Sequence, residues 1–218
     1  MKEIILRYFI SDFHFGHENI ISWERSQFSS IEEHDAYIEN CIANWSRRLT
    51  EKDELWVLGD WGCTDNLAIM DCFKARTFYV YGNHDSEQDY SLFLTHFDEV
   101  HRYPVYISNR IAVSHIPLNV WDSQVNVHGH FHGSVMNDPH YVTCSINDVN
   151  YQLVSEKQIC GALSKVSSYD MRFLYEPFAH MYKYTNPTQL NRSDVVFDKD
   201  GRVDVAASRA LRKLKENE

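Results

Sequence analysis

Residues 11–17 read Ser11-Asp12-Phe13-His14-Phe15-Gly16-His17, and they follow without a break on the apolar run at residues 3–11. A run this short, rich in branched and aromatic side chains, suits a strand and is too short for a self-sufficient helix. The Asp-x-His cluster is therefore expected at the carboxyl end of a strand. The arrangement recurs four times. Residues 55–58 precede Gly59-Asp60, residues 77–81 precede Gly82-Asn83-His84-Asp85, residues 111–114 precede His115, and residues 125–127 lead into Gly129-His130-Phe131-His132. Each cluster carries side chains able to ligate a metal. Strands that present their carboxyl ends along one edge would bring all five clusters into one crevice, the usual ligand site of α/β sheets.

Working outward, the short apolar runs alternate with stretches of helical period, which predicts an α/β architecture. Between the first two runs Ile31, Ile38, Ile42, Trp45 and Leu49 fall on one face of a helix, and Ser30 with Glu33 forms a capping box at its start. A second box, Ser155 with Gln158, opens a helix expected to run to about Leu163. The texture then changes. Tyr169, Phe173, Tyr175, Phe178, Tyr182 and Tyr184 show no clean period, Asp200-Gly201 signals a hairpin, and residues 206–215 read as a helix. Residues 1–164 are thus expected to form the main domain, which carries the five clusters, and residues 165–218 an extension that is part hairpin and part helix.

The chain has 218 residues, of which 44% are hydrophobic and 24% charged, ordinary values for a globular protein. Its net charge of −10 repels polyanions, which disfavours extended nucleic acid and acidic membrane surfaces as partners. No run approaches the roughly 18 apolar residues of a membrane span. The N-terminus lacks the features of a secretory signal. The five cysteines, Cys41, Cys63, Cys72, Cys144 and Cys160, are scattered and never in a C-x-x-C pair. Free thiols in a reducing, cytoplasmic setting are the expectation.

In the order D-x-H, G-D, G-N-H-D, H and G-H-x-H, the five clusters resemble the calcineurin-like metallophosphoesterase superfamily, and the block Ser11–His17 with the segment Ser114-His115-Ile116-Pro117-Leu118 is most similar to its small prokaryotic and phage-encoded members. The resemblance spans residues 12–132. It implies a four-layer α/β/β/α sandwich, two mixed β-sheets flanked by helices, around a dinuclear centre. Asp12, His14, Asp60 and His132 would hold one metal. Asp60, Asn83, His115 and His130 would hold the other, with Asp60 bridging. His84 would be the catalytic histidine outside the ligand set, oriented by Asp85. The blocks lack the Asp-Arg-Gly after Gly-Asp and the Gly-Asn-His-Glu common in serine/threonine protein phosphatases, so that activity is disfavoured.

The chemistry of these residues agrees with that expectation. Imidazole, carboxylate and amide donors without thiolate suit two divalent ions of the Mn, Fe, Zn or Ni type. Two such ions held by two aspartates leave a small positive centre inside a negative protein, suited to a compact phosphate ester. Metal coordination lowers the pKa of water from 15.7 towards roughly 7, which provides hydroxide for attack at phosphorus. His84 could then donate a proton to the leaving oxygen. His17, Trp61 and Trp121 lie beside the motifs and are candidates to touch substrate. The expected activity is phosphodiester hydrolysis of a small substrate, a nucleotide among the options. A phosphomonoesterase, a nuclease and a non-catalytic metal-binding scaffold are the alternatives.

Overall fold

The computed structural model describes residues 5–121, 124–133 and 136–166. The hairpin and helix expected within 165–218 lie outside the described residues, save that the helix opened by Ser155 runs as far as Val166.

Five of the nine strands among the described residues match the five apolar runs: β1 (Arg7–Ile10), β2 (Glu54–Val57), β3 (Arg76–Val80), β6 (Ile111–Val113) and β7 (Val125–His128). The other four are short: β4 (Glu99–His101), β5 (Val105–Tyr106), β8 (Tyr141–Thr143) and β9 (Val154–Ser155). The helices are α1 (Asn19–Trp23), α2 (Ile31–Arg48), α3 (Tyr90–His96) and α4 (Glu156–Val166), with a longer 3-10 helix over Thr64–Cys72. One sheet has the order β4-β3-β2-β1-β9 and the other β5-β6-β7-β8. Both are mixed. β9 runs antiparallel to β1, and β5 antiparallel to β6, while every other pairing is parallel. The protein is therefore mixed α/β, two mixed sheets flanked by helices.

The alternation of side chains along a strand decides what each face of the first sheet meets. Ile10, Leu55, Val57 and Tyr79 point to one face, where they pack with Ile38, Ile42 and Trp45 of α2 and Phe93 of α3. Phe9, Trp56, Phe78 and Val80 point to the other, against Ile111, Val113, Val125 and Val127 of the second sheet. Burial on both faces explains why these strands read as near-continuous apolar runs. α4 adds Ile159, Leu163 and Val166 to the second cluster and meets strands of both sheets.

α2 buries His34, Ile38, Ile42 and Trp45, the stripe expected of a helix facing a core. Its cap differs by one residue from the expected box. Ser30 accepts the Glu33 N–H at 3.3 Å, but the Glu33 carboxylate reaches back to the Ser29 N–H, at 2.8 Å. Among the described residues no helix is long and apolar enough to cross a membrane. The five cysteines are free.

Candidate metal centre

Because β1, β2 and β3 are parallel neighbours, the loops at their carboxyl ends emerge side by side, and backbone bonds zip two of them together. Asp12 N–H donates to Gly59 O at 3.0 Å, His14 N–H to Asp60 O at 3.0 Å and Phe15 N–H to Trp61 O at 2.8 Å. The second sheet delivers its loops to the same place. Gly129 N–H bonds His115 O at 3.0 Å, and the His130 N–H reaches across to both oxygens of Asp12 at 3.2 Å.

Four residues of these loops, Asp12, His14, Asp60 and His130, hold φ between 53° and 69°. That left-handed conformation costs a non-glycine residue about 1–3 kcal/mol and persists only where the surroundings impose it. Here it turns carboxylates and imidazoles from successive strands inward. Close approach is also needed: a Cβ at Gly82 would fall on the Asp60 carboxylate, and one at Gly129 on Ser11 and Asp12.

Two groups of side chains result, each compact enough to hold a cation, and they share Asp12: Asp12, His14 and His132 form one, and Asp12, Asp60 and His115 the other. His132 Nε2 is 3.2 Å from Asp12 Oδ1 and 3.3 Å from His14 Nε2. Asp60 Oδ2 stands between the groups, 3.3 Å from His115 Nε2 and 3.6 Å from His14 Nε2. Asn83 Oδ1 is 2.8 Å from His115 Nε2. The His130 ring lies beside that of His115, with centroids 5.2 Å apart, though its nitrogens belong to neither group.

The electrostatics are those of a site built for positive charge. Burial pushes the Asp12 carboxyl up, but the hydrogen bond with His132 and the field of His115 outweigh it and hold the group well below the usual carboxylate range. Asp60 is likewise lowered: burial opposes ionisation, and the His115 bond overcomes it. Burial lowers His14 to about 3 despite Asp60 and Asp12 nearby, leaving a neutral ring with a lone pair to donate. His115 goes the other way. Burial disfavours its charge, yet the Asp60 bond and the field of both aspartates raise it to about 9. Two buried aspartates thus retain a proton where a cation would serve. His115 Nδ1 lies 2.8 Å from Leu58 O; since a carbonyl only accepts, Nδ1 carries hydrogen and Nε2 is the nitrogen turned to Asp60 and Asn83. Donor types, burial and this orientation all fit divalent ions.

His84 lies outside both groups. Its ring lines the cleft, 5.6 Å from the centroid of His14, while its backbone N–H donates to Asp60 Oδ1 at 3.0 Å. Among the described residues no hydrogen bond joins Asp85 to the His84 ring. The Asp85 carboxylate accepts the N–H groups of Gly82 (2.6 Å), Trp61 (3.0 Å) and Asp60 (3.1 Å) and the Tyr79 hydroxyl (2.7 Å), so it braces the β2 and β3 loops.

The cleft over the centre has a volume of about 250 Å³ and is lined by His14, Asp60, His130 and His132 at its floor, with His17, Trp23, Glu24, His84 and Phe131 around it. His17 lines this cleft, its ring 5.6 Å from that of His14 and 5.7 Å from that of Trp23. The two tryptophans do not. Trp61 is wholly buried, packed on Phe13, Phe15 and Phe97, because its β2-loop position points into the helix-side core. Trp121 is exposed but outside the lining. The aromatic residue at the mouth is Trp23, on α1, which sequence reasoning missed; its spacing from His17 was the available signal. A larger hollow of about 510 Å³ beside Glu18, Phe28 and the start of α2 holds none of the motif residues.

No protein-family model matches the chain. It is 26% identical to MJ1445, an uncharacterized protein of Methanocaldococcus jannaschii, over 173 residues, covering 72% of this chain and 91% of that one. Its fold is similar to that of AQ665, a protein of unknown function from Aquifex aeolicus, with a TM-score of 0.58 and 23% identity over 72% of this chain and 99% of the other. An archaeal phosphodiesterase of known structure aligns with a TM-score of 0.41 and 14% identity, over 65% of this chain and 82% of its own.

Proposed function

We propose that the protein is a metal-dependent phosphoester hydrolase of the calcineurin-like kind, acting with two divalent ions on a small phosphodiester. The observation that carries the reading is the pair of adjoining Asp/His groups, with Asp60 Oδ2 within 3.6 Å of His14 Nε2 in one and 3.3 Å of His115 Nε2 in the other, and with His84 outside both and facing the same cleft. Asp12, His14, Asp60 and His132 would hold one ion, and Asp60, Asn83, His115 and His130 the other. When bound, such ions supply Lewis-acid activation of water and of the phosphoryl group. The side chains supply the rest. Asp12 and Asp60 provide the charge that retains the ions, and the Leu58 carbonyl keeps His115 Nε2 turned inward. His84, at the cleft wall, donates a proton to the departing oxygen.

The lining also supports a compact substrate. Among the described residues it contains no lysine or arginine, and Glu24 adds a negative charge at the mouth, so a second phosphate would find no partner there. Trp23 offers a face for an apolar or aromatic ester group reaching past His17. The test is hydrolysis of bis-p-nitrophenyl phosphate, p-nitrophenyl phosphate and an oligonucleotide with Mn²⁺, Zn²⁺ or Ni²⁺. Preferential turnover of the diester is expected. Preference for the monoester makes the protein a phosphomonoesterase, turnover of the oligonucleotide alone makes it a nuclease, and inertness on all three with metal bound removes the hydrolase reading.

A further inference from the structure

Arg25, just beyond α1, is wholly buried, directly behind the loop that carries Asp12 and His14. Among the described residues no carboxylate lies within ion-pair distance of it. Its Nε donates to Asn147 Oδ1 at 2.7 Å and one Nη1 hydrogen to Phe13 O at 2.7 Å, while Nη2 donates to Asp12 O and Nη1 also meets His34 Nε2. A guanidinium only donates, so His34 Nε2 accepts and its hydrogen sits on Nδ1, which faces Asp35 Oδ1 at 2.7 Å. The other Asp35 oxygen accepts the Gly16 N–H at 3.0 Å. The loop over residues 12–16 is therefore gripped at both ends by one connected network, at its start by Arg25 and at its end by Asp35, with the neutral imidazole of His34 relaying between them. The carbonyls held by Arg25 belong to Asp12, itself at positive φ, and to Phe13, whose peptide leads into His14, also at positive φ.

We propose that Arg25 is a positioning residue for the metal centre: by clamping the Asp12 and Phe13 carbonyls it holds Asp12 and His14 in the left-handed conformations that turn their side chains onto a shared cation. The inference rests on reading Asp12 and His14 as metal ligands and is independent of the reaction catalysed.

The sign of the effect separates this role from a mere charge or packing role. A buried guanidinium repels a nearby cation, so on electrostatics alone Arg25→Gln tightens divalent-ion binding. As a positioning residue it does the reverse. Lys at this position keeps the charge but cannot span four acceptors on three sides, so Arg25→Lys weakens binding too. Mn²⁺ titrations by calorimetry on the full chain, beside thermal melts, make the test. Both variants are expected to bind Mn²⁺ about 10- to 100-fold more weakly than wild type, the usual cost of removing an outer partner of a metal ligand. Folded Arg25→Gln that binds Mn²⁺ as well as wild type or better overturns the proposal. Should neither variant fold, Asp35→Asn and Asn147→Ala loosen the same network from its edge and are expected to weaken Mn²⁺ binding; wild-type affinity in both overturns it. Wild-type protein that binds no Mn²⁺ removes the metal reading itself, whereas binding unchanged across the variants removes only the role of Arg25.

Discussion

The Asp85 carboxylate accepts the backbone N–H of Asp60 at 3.1 Å, a bond between the loop after β3 and the loop after β2. With the Trp61 and Gly82 N–H groups and the Tyr79 hydroxyl on the same carboxylate, Asp85 holds Asp60 at its positive φ and leaves His84 to be placed by its own backbone bond to Asp60. Asp85→Ala strands several buried donors, each costing about 1–3 kcal/mol. The expected result is a stability loss in urea melts accompanied by weaker Mn²⁺ binding. A variant that loses turnover alone, with metal and stability intact, would return Asp85 to the role of orienting His84.

His84 is expected to behave in the opposite way. It belongs to neither metal-capable group, so His84→Ala should keep its metal while turnover falls by about 10²–10⁴, the usual worth of a general acid. Elemental analysis beside steady-state kinetics on a diester decides. Full activity in this variant would mean the proton comes from elsewhere.

Asp60→Asn should lose both properties together. The side chain stands between His14 and His115, and an amide in its place keeps the shape while removing the charge that balances a cation. Ligand binding to the folded state alone stabilises it by about 2.7 kcal/mol at a concentration of 100 Kd. Wild-type protein should therefore melt at a higher temperature with Mn²⁺ than with chelator, and Asp60→Asn should show little or no such shift.

The three tryptophans near the motifs make a graded test of the cleft. Trp61→Ala empties a wholly buried site and removes the bond to Asn66, for an expected loss of about 3–5 kcal/mol in denaturant melts. Trp23→Ala should leave stability nearly unchanged and raise KM for aryl diesters, because that ring is exposed at the mouth. Trp121→Ala should alter neither.

What was legible in the sequence is what local pattern encodes. Apolar runs of strand length ending in Gly, Asp, Asn and His mark β1, β2, β3, β6 and β7 and the loops after them, because strand burial on two faces and ligand chemistry both act through near neighbours in the chain. The α2 stripe is legible for the same reason. The short edge strands β4, β5, β8 and β9 carry two or three residues each, too few to show a period, and β9 moreover exists through pairing with β1, far earlier in the chain. The same limit applies at the site. Nothing local to Asp85 indicates that its partners are the backbone of residues 60 and 61, and nothing local to Arg25 marks it as buried behind Asp12. Trp61 was assigned by proximity to a motif, although neighbouring residues at a strand end point to opposite faces, so the residue after the inward-facing Asp60 enters the core.

Protons and metal compete for the centre, and this gives two opposed pH trends. His115 is held near 9, above its ordinary value of 6.5, after burial is outweighed by Asp60 and Asp12. A cation taken by its Nε2 must displace that proton, so below pH 9 metal affinity should rise with pH, by about tenfold per unit for one proton released, and then level off. Calorimetric Mn²⁺ titrations between pH 6 and 8 in buffers of different ionisation enthalpy should report that proton directly. Metal-free protein should follow the other sign. A histidine raised in the folded state contributes stability that is fully present below 6.5 and is lost as pH rises through about 9. Melts of chelated protein should thus decline over this window, while Mn²⁺-loaded protein, in which that proton has already been given up, should not. A metal affinity independent of pH across the window would show that His115 binds no cation through Nε2.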